Sequence, residues 1–302
     1  LSRGLGDVYK RQYYDLEDFG GDLNYGVIYD PLVNAEIVNA YESRQYKEYC
    51  KTVKSWREKG YIPSDSIFGG ENYFYEEKAF YQWTSVSPAT ERIIQAKQLE
   101  FSQVLLALTE NRLSTSSILE GAWGITSFCK EPEKAMEWLN LLYTDHRIAE
   151  LMQNGLEGKQ YERVSEKVIR HAKKTSDGKP GYGTSFSTFG DGSQISYYEP
   201  ATEDFHKKLE SFNQEARPSL TLGYLFNVEG LEAEIAAVSS VTAEYRPILE
   251  TGMADDVENL LQEFNSELKE AGIERIIEEN VRQLNQWEKR KETVQETRRQ
   301  YW

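Results

Sequence analysis

Two runs near the C-terminus decide how this chain folds: FNVEGLEAEIAAVSSVTAEYRPILETG (Phe226–Gly252) and ADDVENLLQEFNSELKEAGIERIIEENVRQLNQW (Ala254–Trp287). Leu231, Ile235, Val238, Tyr245 and Leu249 recur at helical spacing. So do Val257, Leu260, Leu261, Phe264 and Leu268, and then Ile273, Ile276, Ile277, Val281 and Leu284. Apolar residues three or four apart share one face of a helix, so the spacing predicts three amphipathic helices. Gly252 and Gly272 stand where two of them should stop. Three such faces are too few for a robust core, and they must pack on the rest of the chain.

At 302 residues the chain is long enough for two domains with separate cores. Its formal net charge of -15 argues against a nucleic-acid partner, because phosphate binding needs clustered Lys and Arg. The basic tail Arg282–Arg299 is interleaved with Glu and reads as a solvated helical end. No apolar run approaches membrane-spanning length. Cys50 and Cys129 are too few for a disulfide framework, and each sits in an apolar or amphipathic context that suits a buried free thiol, with a single long-range bridge as the alternative. His146, His171 and His206 are scattered without a second ligand at metal spacing. No P-loop, dinucleotide fingerprint or nucleophile elbow is present, so neither a cofactor nor a metal is expected.

Upstream, helix and strand signals alternate. Ile37–Lys59 reads as a helix with Val38, Tyr41, Tyr49, Val53 and Trp56 on its apolar side and Gly60 as its stop. Ala79–Val86, Leu99–Leu108 and Ala122–Phe128 are strand-like in composition. A helix should start at Pro132, run through Leu151 and close at Asn154-Gly155. Ser176–Tyr198 is Gly-rich and reads as loop. Trp56, Trp138 and Trp287 lie at or near apolar-stripe positions of helices and read as packing residues. Strands early and helices late suggest α/β lobes with a helical C-terminal segment. Residues Leu1–Gln12 (LSRGLGDVYKRQ) have no periodicity and look like translated adapter read-through at the end of a metagenomic fragment. They are expected to be non-native, with the chain truncated on its N-terminal side.

Several segments, in order, resemble family 1 extracellular solute-binding proteins. KSWREKGYIPSD (Lys54–Asp65) is similar to the helix and exit before their ligand loop, and EKAFYQW (Glu77–Trp83) to a short segment leading to the ligand cleft. GAWGITSFCKEPEKAMEWLNLLYTD (Gly121–Asp145) resembles the returning strand and its helix. NGLEGKQY (Asn154–Tyr161) resembles the Gly-Ile-Glu-Gly-Lys turn of an ABC-transporter lipoprotein subgroup whose C-terminal domain is the domain of unknown function DUF3502. The resemblance implies an α/β fold of periplasmic-binding-protein-like type II, with two lobes joined by a hinge. Residues 13–153 would supply part of the two lobes, and 154–302 a DUF3502-like region packed on them.

What the resemblance implies for function is capture of a carbohydrate-type solute, a sugar or oligosaccharide, in an interlobe cleft. Delivery would be to ABC permease subunits, with no bond made or broken and therefore no enzyme activity. The protein would be an extracellular lipoprotein of a bacterium, held to the membrane only by a lipid anchor outside this chain. A sugar site needs aromatic faces and polar groups for hydroxyls. Trp83, with Ser85 nearby, and Trp123, between Ala122 and Gly124, are the leading ligand-binding candidates, because small neighbours leave an indole face uncovered. Core packing is the alternative for both. Phe189, Asp191 and Gln194 form a second group in TFGDGSQ (Thr188–Gln194), with a plain surface loop as the alternative. Asp191 stands where the subgroup has Asn; an ionised carboxylate only accepts, which favours hydroxyl donors. Glu157, on the turn between Gly155 and Gly158, is read as locking it through backbone N–H groups, with a simply solvated carboxylate as the alternative.

Two rival readings differ in class. A secreted glycan-active hydrolase needs two carboxylates set across a cleft. Here the adjacent pairs Glu76-Glu77, Asp255-Asp256 and Glu278-Glu279 diverge on a helix or strand and do not supply them. A non-transporting surface protein could use the same fold for adhesion or sensing.

Overall fold

The computed structural model describes residues 15–62, 86–96, 104–119, 123–172, 182 and 191–301. In chain order the elements are β1 (Leu16–Asp18), β2 (Val27–Tyr29), α1 (Arg44–Glu58), α2 (Pro88–Ala96), β3 (Arg112–Leu113) and α3 (Thr115–Leu119). Next come α4 (Pro132–Thr144), α5 (His146–Asn154), β4 (Tyr161–Arg163), β5 (Val168–His171), β6 (Tyr197–Tyr198) and α6 (Phe205–Gln214). The chain closes with β7 (Arg217–Pro218), α7 (Glu232–Glu250), α8 (Val257–Ala271) and α9 (Ile273–Tyr301). Two compact units result. Among the described residues one holds 15–62, 112–116 and 217–301, and the other 86–96, 104–111, 117–119, 123–172, 182 and 191–216.

The first unit is built on the three C-terminal helices. Val238, Tyr245, Leu249, Leu261, Phe264, Leu268, Ile273 and Ile276 are buried together with Tyr41, Tyr46, Cys50 and Val53, so α7, α8 and α9 pack on α1 and on the β1–β2 region. Local chemistry sets the boundaries. Asp256 accepts hydrogen bonds from the backbone N–H groups of Glu258 and Asn259, capping α8. Gly272, at φ +96°, ends α8 in the left-handed conformation that glycine adopts without a Cβ penalty. Gly252 also has positive φ, and a Cβ there would lie 2.8 Å from the Val53 carbonyl oxygen. That glycine lets the end of α7 approach the backbone of α1. β1 and β2 pair antiparallel, with Glu17 opposite Ile28, and β3 pairs with β7 in parallel.

The second unit has a three-stranded sheet in the order β4-β5-β6, antiparallel then parallel. Its small core joins Leu142 of α4, Ala149 of α5 and Ile195. Asn154, the last residue of α5, donates its side-chain amide to the Ser196 carbonyl at 3.0 Å and so ties the helix to the start of β6.

Several expectations need correction. The helix expected at Ile37–Lys59 is a 3-10 turn, Ala40–Glu42, followed by α1. Ser43 separates them, because its extended backbone and its hydroxyl, which accepts from Tyr46 N–H, make it an N-cap. The helix expected from Pro132 through Leu151 is likewise divided at Asp145, whose side chain caps Arg147 and starts α5. Residues 123–128 and 104–108 form no strand. Phe128 is 90% exposed, and apolar composition without a partner strand makes no ladder. The rest of those two segments, and Ala79–Ser85, lie outside the described residues, as do residues 1–12. Trp138 is 47% exposed and is not a packing residue, whereas Trp56 and Trp287 pack against the clusters of the first unit. Cys50 and Cys129 are both free; the first is buried and the second half-buried.

Candidate functional site

Of the six residues expected to meet a ligand, Trp83, Ser85 and Phe189 lie outside the described residues. Trp123 lies in the second unit, 48% exposed, on a segment without helix or strand. Core packing does not account for an indole left that open. A Cβ built on neighbouring Gly124 would meet nothing within 4 Å, so the backbone next to Trp123 is open at that position. A half-exposed indole offers an apolar face to solvent.

Asp191 and Gln194 are brought together by one 3-10 turn, Gly192–Gln194. Asp191 is its N-cap, with Oδ1 accepting from Ser193 N–H at 2.9 Å. The carboxylate at this position therefore has a structural task, which the sequence motif DGS signals as readily as it signals ligand contact. The turn is held from below by Tyr197, whose hydroxyl donates to the Gly192 carbonyl at 3.3 Å. Tyr197 in turn meets Phe205 edge to face at 4.7 Å, and the Arg92 guanidinium lies 5.5 Å from the Tyr197 ring centre. Burial holds the Tyr197 hydroxyl above and the His206 imidazole below their usual ranges, with Lys167 adding to the second effect, so both favour their neutral forms.

A polar set that sequence reasoning missed lies beside the sheet of the same unit. Arg163 of β4 donates to Ser196 Oγ at 3.1 Å and stands 3.5 Å from both Glu150 and Glu157. Glu150 also accepts from Ser196 N–H at 2.7 Å. Glu157 thus pairs with a guanidinium and is half exposed, rather than locking its turn through backbone N–H groups. Here Gly158 N–H bonds the Tyr161 carbonyl instead. His171 stacks on Tyr198 with ring centres 3.8 Å apart, and burial pushes the Tyr198 hydroxyl up to about 12. Of this set the sequence marked only Glu157; the other members come from α5, β4, β5, β6 and the residue before β6, and meet only in the fold.

In the first unit one buried acid is Glu17, 4% exposed in the middle of β1. Burial raises its carboxyl; the hydroxyls of Ser219 and Thr221 and the charge of Arg112 act in the opposite direction. Arg112 also donates to Asp15 and to the Leu16 carbonyl, binding β3 to β1. Among the described residues there is no cluster of three or more His, Cys, Asp or Glu able to hold a metal, and no helix is long and apolar enough to cross a membrane.

Two mixed α/β units with this helical C-terminal segment define the fold of the periplasmic-type solute-binding proteins. Residues 220–289 match the family model described as Domain of unknown function (DUF3502), a span inside the 154–302 expected to carry it. The chain is 26% identical over 261 residues to a carbohydrate ABC transporter substrate-binding protein of Streptococcus pneumoniae serotype 4 (strain ATCC BAA-334 / TIGR4), covering 85% of this chain and 52% of the relative. The crystal structure of the N-glycan transport solute binding protein (NgtS) from Streptococcus pneumoniae superposes with a TM-score of 0.77 at 22% identity, over 93% of this chain and 63% of that one. The same protein in complex with Man5GlcNAc gives 0.70 at 23% identity, over 92% and 61%. The chain spans about half the length of the curated relative it matches. It carries DUF3502 and shares its fold with the solute-binding proteins, as its sequence segments imply.

Proposed function

We propose that this chain is part of the extracellular substrate-binding component of an ABC importer and captures a carbohydrate-type solute without making or breaking a bond. The observation that carries the reading is Trp123, an indole half open to solvent on a segment without helix or strand, next to a glycine whose Cβ position is open. The curated relative, a carbohydrate ABC transporter substrate-binding protein, supports the class of solute. The Man5GlcNAc bound by the solved relative directs the choice of probe toward mannose- and N-acetylglucosamine-containing oligosaccharides. ABC permease subunits are the protein partners, and the working location is the cell surface, with attachment by a lipid anchor.

Catalysis is left out of this reading. The two carboxylates that meet in the second unit, Glu150 and Glu157, are both ion-paired to the one guanidinium of Arg163. A thermal-shift screen of neutral oligosaccharides against this chain tests the function. A ligand that binds only the folded form raises the melting temperature by mass action. Stabilisation by Man5GlcNAc or a shorter mannose oligosaccharide, with the glycan recovered intact, is the expected result. Cleavage of the glycan, or no stabilisation by any member of the panel, contradicts it.

A further inference from the structure

The first unit contains a concavity of about 460 Å³ where the segment after Tyr224 faces the outer side of α9. That volume lies within the range of small-molecule sites, roughly 300–1,000 Å³. One wall is aromatic: half-buried Trp287, backed by the buried ring of Tyr224, which meets it edge to face at 5.9 Å. Leu225, 65% exposed, adds apolar surface at the rim.

The floor is built from fixed hydrogen bonds. Asn227 N–H donates to Gln283 Oε1 and Gln283 Nε2 donates to the Asn227 carbonyl, both at 2.9 Å, so one side-chain amide clamps both faces of a backbone unit. The Tyr224 hydroxyl donates to Asn280 Oδ1 at 2.6 Å. Arg282 and Glu279 form a two-pronged pair and cancel each other's charge. Above this floor the side chains of Gln286 and Glu229 and the two terminal nitrogens of Arg290 carry no hydrogen bond among the described residues; only Arg290 Nε is engaged, weakly, with the Gln286 carbonyl.

We infer that this concavity is a second carbohydrate site, on the DUF3502 segment, for a neutral oligosaccharide. Amide, carboxylate and guanidinium side chains together offer the mixed donors and acceptors that sugar hydroxyls need. The lining sets two arginines against two glutamates, and the formal charge of -15 on the whole chain disfavours anionic ligands. Lys291 Nζ lies 4.7 Å from the centre of the Trp287 ring; this exposed, flexible cation gives way when a sugar ring covers the indole. The inference takes its ligand class from the function proposed above, but its location is independent of Trp123.

The test follows the Trp287 indole N–H by two-dimensional NMR of the whole chain, assigned by its loss in Trp287→Phe. Mannotriose, chitotriose and the anionic sialyllactose serve as probes. A saturable Trp287 shift in the millimolar range with a neutral probe is expected, weakened at least about tenfold in a Gln286→Ala/Arg290→Ala double variant whose circular dichroism is unchanged. Glu229→Ala, outside the helix, provides an independent second variant and should weaken the shift in the same direction. The shift should persist in Trp123→Ala, which separates this site from the one proposed above. Absence of a Trp287 shift with either neutral probe, an undiminished shift in both variants, its loss in Trp123→Ala, or a preference for sialyllactose would overturn the inference.

Discussion

Tyr46 of α1 donates its hydroxyl to Glu250 Oε1 at 3.1 Å, a buried hydrogen bond between residues 204 positions apart. Arg246, one turn earlier on α7, bonds both oxygens of the same carboxylate and reaches Asp22 before β2. Burial works against the charge of Arg246, and its pairing with Glu250 more than offsets that, so the guanidinium is held above its usual range. The group therefore joins three segments of the first unit at one point.

Removing either partner should have unequal effects. Tyr46→Phe deletes one hydrogen bond and is expected to cost about 1 kcal/mol. Glu250→Ala leaves the largely buried Arg246 without its main counter-charge and should cost about 3–5 kcal/mol. Urea denaturation of the two variants measures the difference; equal losses would contradict the arrangement.

Glu17 sets a pH dependence. Its folded-state carboxyl is raised by burial, so the folded chain holds that proton more tightly than the unfolded chain does. Its stabilising contribution is complete below the ordinary glutamate range and is lost as pH rises through the raised folded value. Glu17→Gln removes the cost of burying the charge. It should stabilise the chain at neutral pH by about 1 kcal/mol and give no gain in acid, where Glu17 is already protonated. Melting curves across that range read the result, and a gain of equal size at both ends would count against it.

Burial also pushes the Cys50 thiol up to about 12. The thiolate is the reactive form, so Cys50 should resist iodoacetamide in the folded chain at mildly alkaline pH and react on unfolding. Peptide mapping after labelling, with and without denaturant, distinguishes it from half-buried Cys129. Full labelling of Cys50 in the folded chain would show that α1 is less tightly packed than described.

At Gly252 an added methyl would collide with the Val53 carbonyl and occupy a backbone conformation with φ +72°. Gly252→Ala should destabilise the chain by about 1–3 kcal/mol. A substitution at Gly60, also at positive φ but with open space around it, should cost less. Chemical denaturation of the two variants gives the comparison, and a larger loss at Gly60 would argue against the close approach of α7 to α1.

The C-terminal helices were legible because their burial is periodic: Val257, Leu261, Phe264 and Leu268 fall on one face of α8 and are all buried. The glycine stops at 252 and 272 were legible for the same local reason. The divisions at Ser43 and Asp145 were not, since a capping side chain competes with helical periodicity that runs on past it. Strand-like composition misled at 123–128, where the pairing partner, rather than the residues themselves, decides. Trp123 was legible as an open indole from its small neighbours. The pairing of Arg163 with Glu150, Glu157 and Ser196 and the burial of Glu17 were invisible, because the partners are distant in sequence and no spacing encodes them.

The most direct test of the account is the affinity of this chain for a mannose- and N-acetylglucosamine-containing oligosaccharide, measured by calorimetry before and after Trp123→Ala. The indole is half exposed and its loss leaves no cavity in a core, so the variant should keep its melting temperature. The account predicts that binding weakens by more than about tenfold while the fold is unchanged. Unchanged affinity in a folded Trp123→Ala variant would contradict it.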